Sequence, residues 1–214
     1  MKTDPRTFIL ANTTLQSPPH VPEIRLNLAD EALDLWQKTE DELEAIGLPP
    51  PFWAFAWAGG QGLARHVLDH PELVRRKRVV DFATGSGLVA IAAKHVGATG
   101  VLAADIDPWA AEAVMLNARV NEVDIAFTGA DLIGEAVEAD VLLAGDVFYD
   151  AAFAQALIPW FCKLASLGVD VIVGDPGRSY LPKALLTPLA TYEVPVTRAL
   201  EDAEVKRTTV WRFG

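Results

Sequence analysis

Residues Gly85-Ser86-Gly87-Leu88-Val89-Ala90 fit the Gly-x-Gly-x-x-Gly/Ala spacing of a nucleotide-binding turn. Glycines at the first two positions let a backbone approach a ligand closely. Asp105 follows Gly85 by twenty residues, where a ribose needs a carboxylate. A nicotinamide dinucleotide and S-adenosylmethionine both satisfy this much. Asp81, just before the loop, separates them. A pyrophosphate at the helix N-terminus would meet this carboxylate, and like charges at ~4 Å cost about 1 kcal/mol in water and more when partly buried. S-adenosylmethionine offers an ammonium and a sulfonium, which the carboxylate attracts. The blander role for Asp81, capping the turn, is compatible with the same cofactor.

The remaining candidates fall at strand ends. Asp105 is expected to chelate the ribose hydroxyls, and Ile106 to pack on the adenine face. Asp107 before Pro108 reads as a helix N-cap with proline at the first helical position. Asp131 either accepts the adenine amine or caps a helix. In "LLAGDVFYD", Asp146, Phe148 and Tyr149 project toward the reactive end of a cofactor. A carboxylate, an aromatic face and a phenol suit an amine nucleophile; a polar turn after a strand is the structural alternative. Trp53, Phe55 and Trp57 either pack as core or border the site. His20, His66, His70 and His95 lack ligand spacing, so no metal is expected.

The elements that would position these residues are legible in the periodicity. Strands are predicted at 79–83, 100–105, 124–128, 140–146 and 170–174, alternating with helices at 86–97, 108–120, 151–167 and 180–190. That alternation implies a parallel sheet covered on both faces. The tail stretches "TYEVPVTRAL" and "EVKRTTVWRFG" read as two further strands joined by a turn at Glu201-Asp202. Upstream, three prolines in "SPPHVPEI" enforce an extended path, Leu28 to Ile46 has helical spacing, and 60–70 reads as a helix.

Composition narrows the function classes. A length of 214 residues with 51% hydrophobic content suits a single α/β domain over 1–214, with 1–50 an N-terminal extension and 51–214 the core. No apolar run reaches the ~18 residues of a membrane span. The net charge of −11 disfavours a nucleic-acid partner and suits a cationic substrate. Arg75-Arg76-Lys77-Arg78, the one basic cluster, reads as a solvated turn. One cysteine, Cys162, read as core packing, excludes an intrachain disulfide, and the N-terminus lacks a signal peptide's apolar centre. A cytoplasmic location is expected.

Five stretches in order, "PFWAFAWAGGQGLARHVLDHP", "AADIDP", "GDVFYD", "VGDPGR" and "TTVWRFG", resemble the electron-transfer flavoprotein β-subunit lysine methyltransferases in their bacterial form. That group lies within the class I, seven-β-strand methyltransferases. The resemblance implies a Rossmann-like α/β fold, a mostly parallel seven-stranded sheet with a C-terminal antiparallel hairpin, and S-adenosylmethionine as cofactor. It implies that Asp81 to Gly87, with Ala83, Thr84, Gly85 and Ser86 between, form the cofactor loop, and that Trp57 borders the pocket. It places Asp146 and Tyr149 at the ends of a D-x-x-Y signature near the substrate lysine. It also implies lysines of the flavoprotein β subunit as substrate. Ala83 departs from the family pattern, replacing a glycine, so its backbone is expected to avoid positive φ. Asp146 is expected to orient the amine while water takes the proton. The alternatives are a small-molecule amine methyltransferase with residues 1–46 as a lid, a non-catalytic module of the same fold, and, more distantly, an NAD(P)-dependent oxidoreductase.

Overall fold

The computed structural model of the chain describes residues 4–29, 50–197 and 203–214. It opens with a helix absent from the expectations, α1 (Pro5–Asn12). Asp4 caps it by accepting the Thr7 N–H, and Pro5 occupies the first turn, where no N–H is needed. Strands β1 (Thr14–Gln16) and β2 (Leu26–Leu28) pair antiparallel beside it. Leu28 therefore ends a strand instead of starting a helix, because it is buried and paired with Thr14. Residues 30–46 of that expected helix lie outside the described residues, as does the Glu201-Asp202 turn.

Helix α2 (Ala58–Asp69) precedes a regular alternation: β3 (Arg78–Phe82), α3 (Leu88–His95), β4 (Gly100–Ala104), α4 (Pro108–Val120), β5 (Ala126–Thr128), β6 (Val141–Gly145), α5 (Ala151–Ser166) and β7 (Asp170–Asp175). Strands β8 (Leu186–Pro195) and β9 (Val205–Phe213) close the chain. The sheet has seven strands in the order β5-β4-β3-β6-β7-β9-β8, parallel up to β7 and antiparallel thereafter. This is the mostly parallel α/β sheet with a C-terminal antiparallel pair that the sequence implied. Among the described residues no helix is long and apolar enough to cross a membrane.

Side-chain alternation along the strands makes two cores. Val79, Val141, Leu143 and Ile172 face α2, α3 and part of α4. Their neighbours Val80, Leu142, Ala144, Val171 and Val173 face α5, meeting Leu157, Trp160 and Phe161. A third cluster joins Ile9 of α1, Trp53 and Phe55 to Trp109 and Ala113 of α4. Trp53 and Phe55 thus serve packing. Cys162 packs partly buried against the α5-side core.

The helix expected at 180–190 is replaced by a short 3-10 turn, Lys183–Leu185, and by the first half of β8. Periodicity misled here because apolar spacing over so short a stretch fits both states. The deciding features are non-local: β9 supplies the ladder, and Pro188, which has no N–H, sits on an edge strand where the register shifts.

Four glycines allow α2 to start directly over the carboxyl ends of β6 and β7. A Cβ at Gly145 would lie 2.8 Å from the Gly60 Cα, one at Gly174 would collide with the Gly59 carbonyl oxygen, and one at Gly59 would collide with the Asp146 carboxylate. Farther along, Gly62 packs on Thr208 of β9. Gly174→Ala is expected to lower the unfolding free energy by about 1–3 kcal/mol, as overpacking does in well-filled cores, in urea titrations. An unchanged midpoint would mean that α2 can shift freely over the strand ends.

Candidate active site

Beyond Phe82 the chain turns sharply. Ala83 has φ +53, Gly85 φ +52 and Gly87 φ +83. The expectation that Ala83 avoids positive φ is therefore incorrect. The turn holds it in the left-handed region, with the Thr84 N–H donating to the Ala104 carbonyl at 3.2 Å and the Gly87 N–H to the Thr84 carbonyl at 2.9 Å. The Ala83 methyl also packs against the α5-side core. Above the loop, the Phe52 carbonyl and the Trp53 Cα lie 3.7 and 3.8 Å from where a Gly85 Cβ would stand.

Asp81 is buried, and one oxygen, Oδ2, accepts from both Thr84 Oγ1 and the Ala90 N–H at 3.0 Å. It thus caps the first turn of α3, the blander of the two roles. Burial pushes its carboxyl up to about 7, opposed by these two hydrogen bonds and assisted by the Asp105 charge. Asp105 follows β4 and ties to the loop. Its Oδ2 accepts the Gly85 N–H at 2.9 Å and its Oδ1 the Asp107 N–H at 3.0 Å. Burial raises its pKa as well. Asp107 caps α4 through the Trp109 N–H, as its sequence position required, and burial pushes it up to about 6. Ile106, between the two acids, is 71% exposed. Asp131 is exposed, and its Oδ1 accepts the Ile133 N–H at 3.0 Å, so it closes a turn after β5.

Asp146, just past β6, has φ +58 and is 7% exposed. Its Oδ1 receives both the Nε (3.1 Å) and an Nη (2.7 Å) of Arg178, and its Oδ2 the Gly60 N–H at the start of α2 (3.1 Å). Arg178 and Gly60 escaped the sequence reading, although both lie in stretches it singled out, "VGDPGR" and "WAGG". The available signal for Arg178 was a cation at the carboxyl end of β7, the strand beside β6. Asp175 fixes that turn by accepting the Gly177 and Arg178 N–H groups at 2.6 and 2.7 Å.

Aromatic rings gather beside this pair. The Arg178 guanidinium carbon lies 6.0 Å from the centre of Trp57, whose Nε1 donates to the Phe52 carbonyl at 3.0 Å. Phe52 contacts both Trp57 and Tyr149, each at a centroid separation of 5.7 Å. Tyr149 is 51% exposed. Its phenol pKa is raised by burial and then by the Asp150 and Asp105 charges, so it stays protonated at neutral pH.

The other candidates lie elsewhere. His66 is buried on α2 and its Nδ1 meets the Tyr192 hydroxyl at 2.9 Å. Among the described residues no group of three or more His, Cys, Asp or Glu could hold a metal ion. The basic cluster forms the turn before β3, where Arg78 pairs with Asp140.

A family model described as ribosomal protein L11 methyltransferase (PrmA) matches residues 65–148, which span the glycine loop, Asp105 and Asp146. The electron transfer flavoprotein beta subunit lysine methyltransferase of Xenopus laevis is 41% identical over 99% of this chain and 87% of its own length. The protein of the same name from Homo sapiens is 33% identical over 97% of this chain and 81% of its own. Among solved structures, magnesium protoporphyrin IX methyltransferase from Synechocystis shares the fold, with a TM-score of 0.54, 15% identity and 87% of each chain covered.

Left-handed alanine costs about 1–2 kcal/mol, whereas glycine loses roughly 0.4–1 kcal/mol through its freer unfolded chain. Ala83→Gly is therefore expected to leave stability equal or raised by up to about 1.6 kcal/mol in chemical denaturation, the span of differences between those costs. A clear loss would show that the methyl's packing outweighs the strain.

Proposed function

The chain belongs to the electron transfer flavoprotein beta subunit lysine methyltransferase family, and on that premise we propose that it methylates lysine side chains of the flavoprotein's beta subunit, using S-adenosylmethionine. The observation that carries this reading is kinship over nearly the whole chain. It is supported by the left-handed glycine loop tied to Asp105, and by the Asp146–Arg178 pair beside the aromatic stretch. We read residues 1–214 as one functional unit.

The residues present fit the cofactor. The left-handed turn at Ala83–Gly87 brings backbone close to a ligand, with Thr84 and Ser86 buried in the loop. Each Asp105 oxygen carries one backbone donor, and a carboxylate has about four lone-pair directions, so ribose hydroxyls can be accommodated. Ile106 presents an apolar side chain to solvent, suited to an adenine face. Asp131, just after β5, is assigned to the adenine amine. Bound there, S-adenosylmethionine supplies an electrophilic methyl group on a sulfonium.

On the nucleophile's side, Trp57, Phe52 and Tyr149 offer ring faces to a lysine's aliphatic stem and cationic head. The neutral Tyr149 hydroxyl accepts a hydrogen bond from the amine. Asp146, immobilised by Arg178 and Gly60, orients the amine at the end of β6. The Arg178 guanidinium, a like charge, discourages a protonated lysine, and partial burial does the same. Water takes the proton. Catalysis then rests on positioning and desolvation. The net charge of −11 favours encounter with a locally basic protein surface.

Asp81 links cofactor binding to pH. Its carboxyl, at about 7, is largely protonated below neutrality in the ligand-free protein. A ligand ammonium beside it favours the carboxylate, so binding releases a proton and affinity rises with pH. Calorimetry is expected to show S-adenosylmethionine affinity increasing between about pH 5.5 and 7 by at most roughly tenfold per unit, the limit for one proton. Asp81→Asn flattens this slope. An equal slope in that variant would remove Asp81 from the cofactor's charge balance.

The substrate assignment is tested with purified enzyme, S-adenosylmethionine and recombinant electron transfer flavoprotein, followed by intact-mass spectrometry. Mass increments of whole methyl groups on the beta subunit are expected. Their absence, with turnover of small amines instead, would overturn it.

A further inference from the structure

Asn117 lies on α4 with no exposed surface, on a helix face otherwise apolar. Its amide is used at both ends. Oδ1 accepts the Asn27 backbone N–H at 2.7 Å and Asn27 Nδ2 at 2.9 Å. Nδ2 donates to the Ser86 carbonyl of the glycine loop at 2.8 Å. One turn later, Asn121 repeats the grip on the same segment. Its Oδ1 accepts the Arg25 N–H at 3.0 Å, and its Nδ2 donates to the Arg25 carbonyl at 2.6 Å. Strand β2 is thereby bonded to α4, and α4 to the loop.

The bond to Ser86 falls on a peptide unit that needs it. The carbonyl of Ser86 and the N–H of Gly87 belong to one peptide plane. Gly87 sits at φ +83, and glycine resists rotation of that plane less than any other residue. The N–H side is held by the Thr84 carbonyl at 2.9 Å. Asn117 holds the other side. Packing brings α4 close enough: a Cβ at Gly87 would lie 3.2 Å from a Val114 methyl. A second route runs in parallel. The Ala29 N–H donates to the Ala54 carbonyl at 3.0 Å, and Trp53 stacks on Trp109 with centroids 6.3 Å apart.

We propose that Asn117 is a positioning residue for the cofactor loop, and that through it the N-terminal segment, by way of Asn27, sets the loop's geometry. The proposal rests on the reading that this loop holds S-adenosylmethionine. A side-chain amide suits the place because it carries an acceptor and a donor on one planar group. Aspartate would keep the acceptor for Asn27 and turn an oxygen toward the Ser86 carbonyl. Serine reaches neither partner.

The test is calorimetric titration of S-adenosylmethionine into the full chain and into N117D, N117S and N27A, at a temperature where circular dichroism shows each folded. Steady-state kinetics on the flavoprotein substrate follow. Loss of one or two buried hydrogen bonds predicts roughly tenfold weaker cofactor binding in N117D or N117S and roughly threefold in N27A. The kinetic loss should fall on KM for S-adenosylmethionine and leave KM for the protein substrate in place, a split that general destabilisation does not produce. Folded N117S binding within about twofold of wild type would overturn the role of Asn117, since a lost hydrogen bond is worth more than that. Wild-type affinity in N27A, whose backbone N–H still reaches Asn117, would overturn the part played by the Asn27 side chain. Failure of the wild-type chain to bind S-adenosylmethionine would strike the cofactor reading itself.

Discussion

The carboxyl ends of β6 and β7 receive the start of α2 because no side chain stands between them. Gly59 and Gly60 on the helix meet Gly145 and Gly174 on the strands, backbone against backbone. That approach leaves the helix N–H groups facing Asp146, whose carboxylate answers the Gly60 N–H from 86 residues away. Asp146 in turn sits at φ +58, an uncommon conformation for a residue with a side chain, held by its partners on three elements. From β9, Thr208 donates to the Ala58 carbonyl at 3.3 Å and fills the space beside Gly62. Stretches around residues 57–62, 145–150, 173–178 and 208–214 therefore form one junction.

The glycine-loop side is governed by buried charge. Asp81, Asp105 and Asp107 all have raised pKa values with burial as the leading cause, and Asp81 and Asp107 each feel the Asp105 charge. Backbone N–H groups compensate each of them in part. A positive group beside such acids would relieve desolvation and mutual repulsion together. On the aromatic side, Asp146 is matched by Arg178.

Local pattern revealed what local pattern determines. The glycine turn and the N-cap at Asp107 were legible because each depends on residues a few positions apart, and Asp105 because it follows the strand next to that turn. The strands were found within one or two residues at most ends, the alternation of Val79/Val80 and Leu142/Leu143 being a two-sided burial signal. What stayed hidden was set by partners distant in the chain. Arg178 pairs with Asp146 across 32 residues, and Asn117 with Asn27 across 90. A polar residue at a helix position flanked by Val114 and Ala118 was the available hint for Asn117, since buried amides demand partners. Asp81 caps the turn through one oxygen, a role compatible with a cofactor charge beside it. The first half of the strand at 186–195 was read as helix because its pairing, not its propensity, makes it a strand.

The two margins of the seven-stranded sheet also bear on how the protein behaves in a crowded cell. An open edge strand is a template on which a second chain can add a strand of its own. At one margin β5 spans only three residues, Ala126–Thr128, too short to offer a long ladder. At the other, β8 carries Pro188 at its register shift and ends on Pro195, each lacking an N–H to give a newcomer. The irregularity in the first half of β8 thus also blunts edge-to-edge aggregation, leaving the sheet's margins poor templates for intermolecular β pairing.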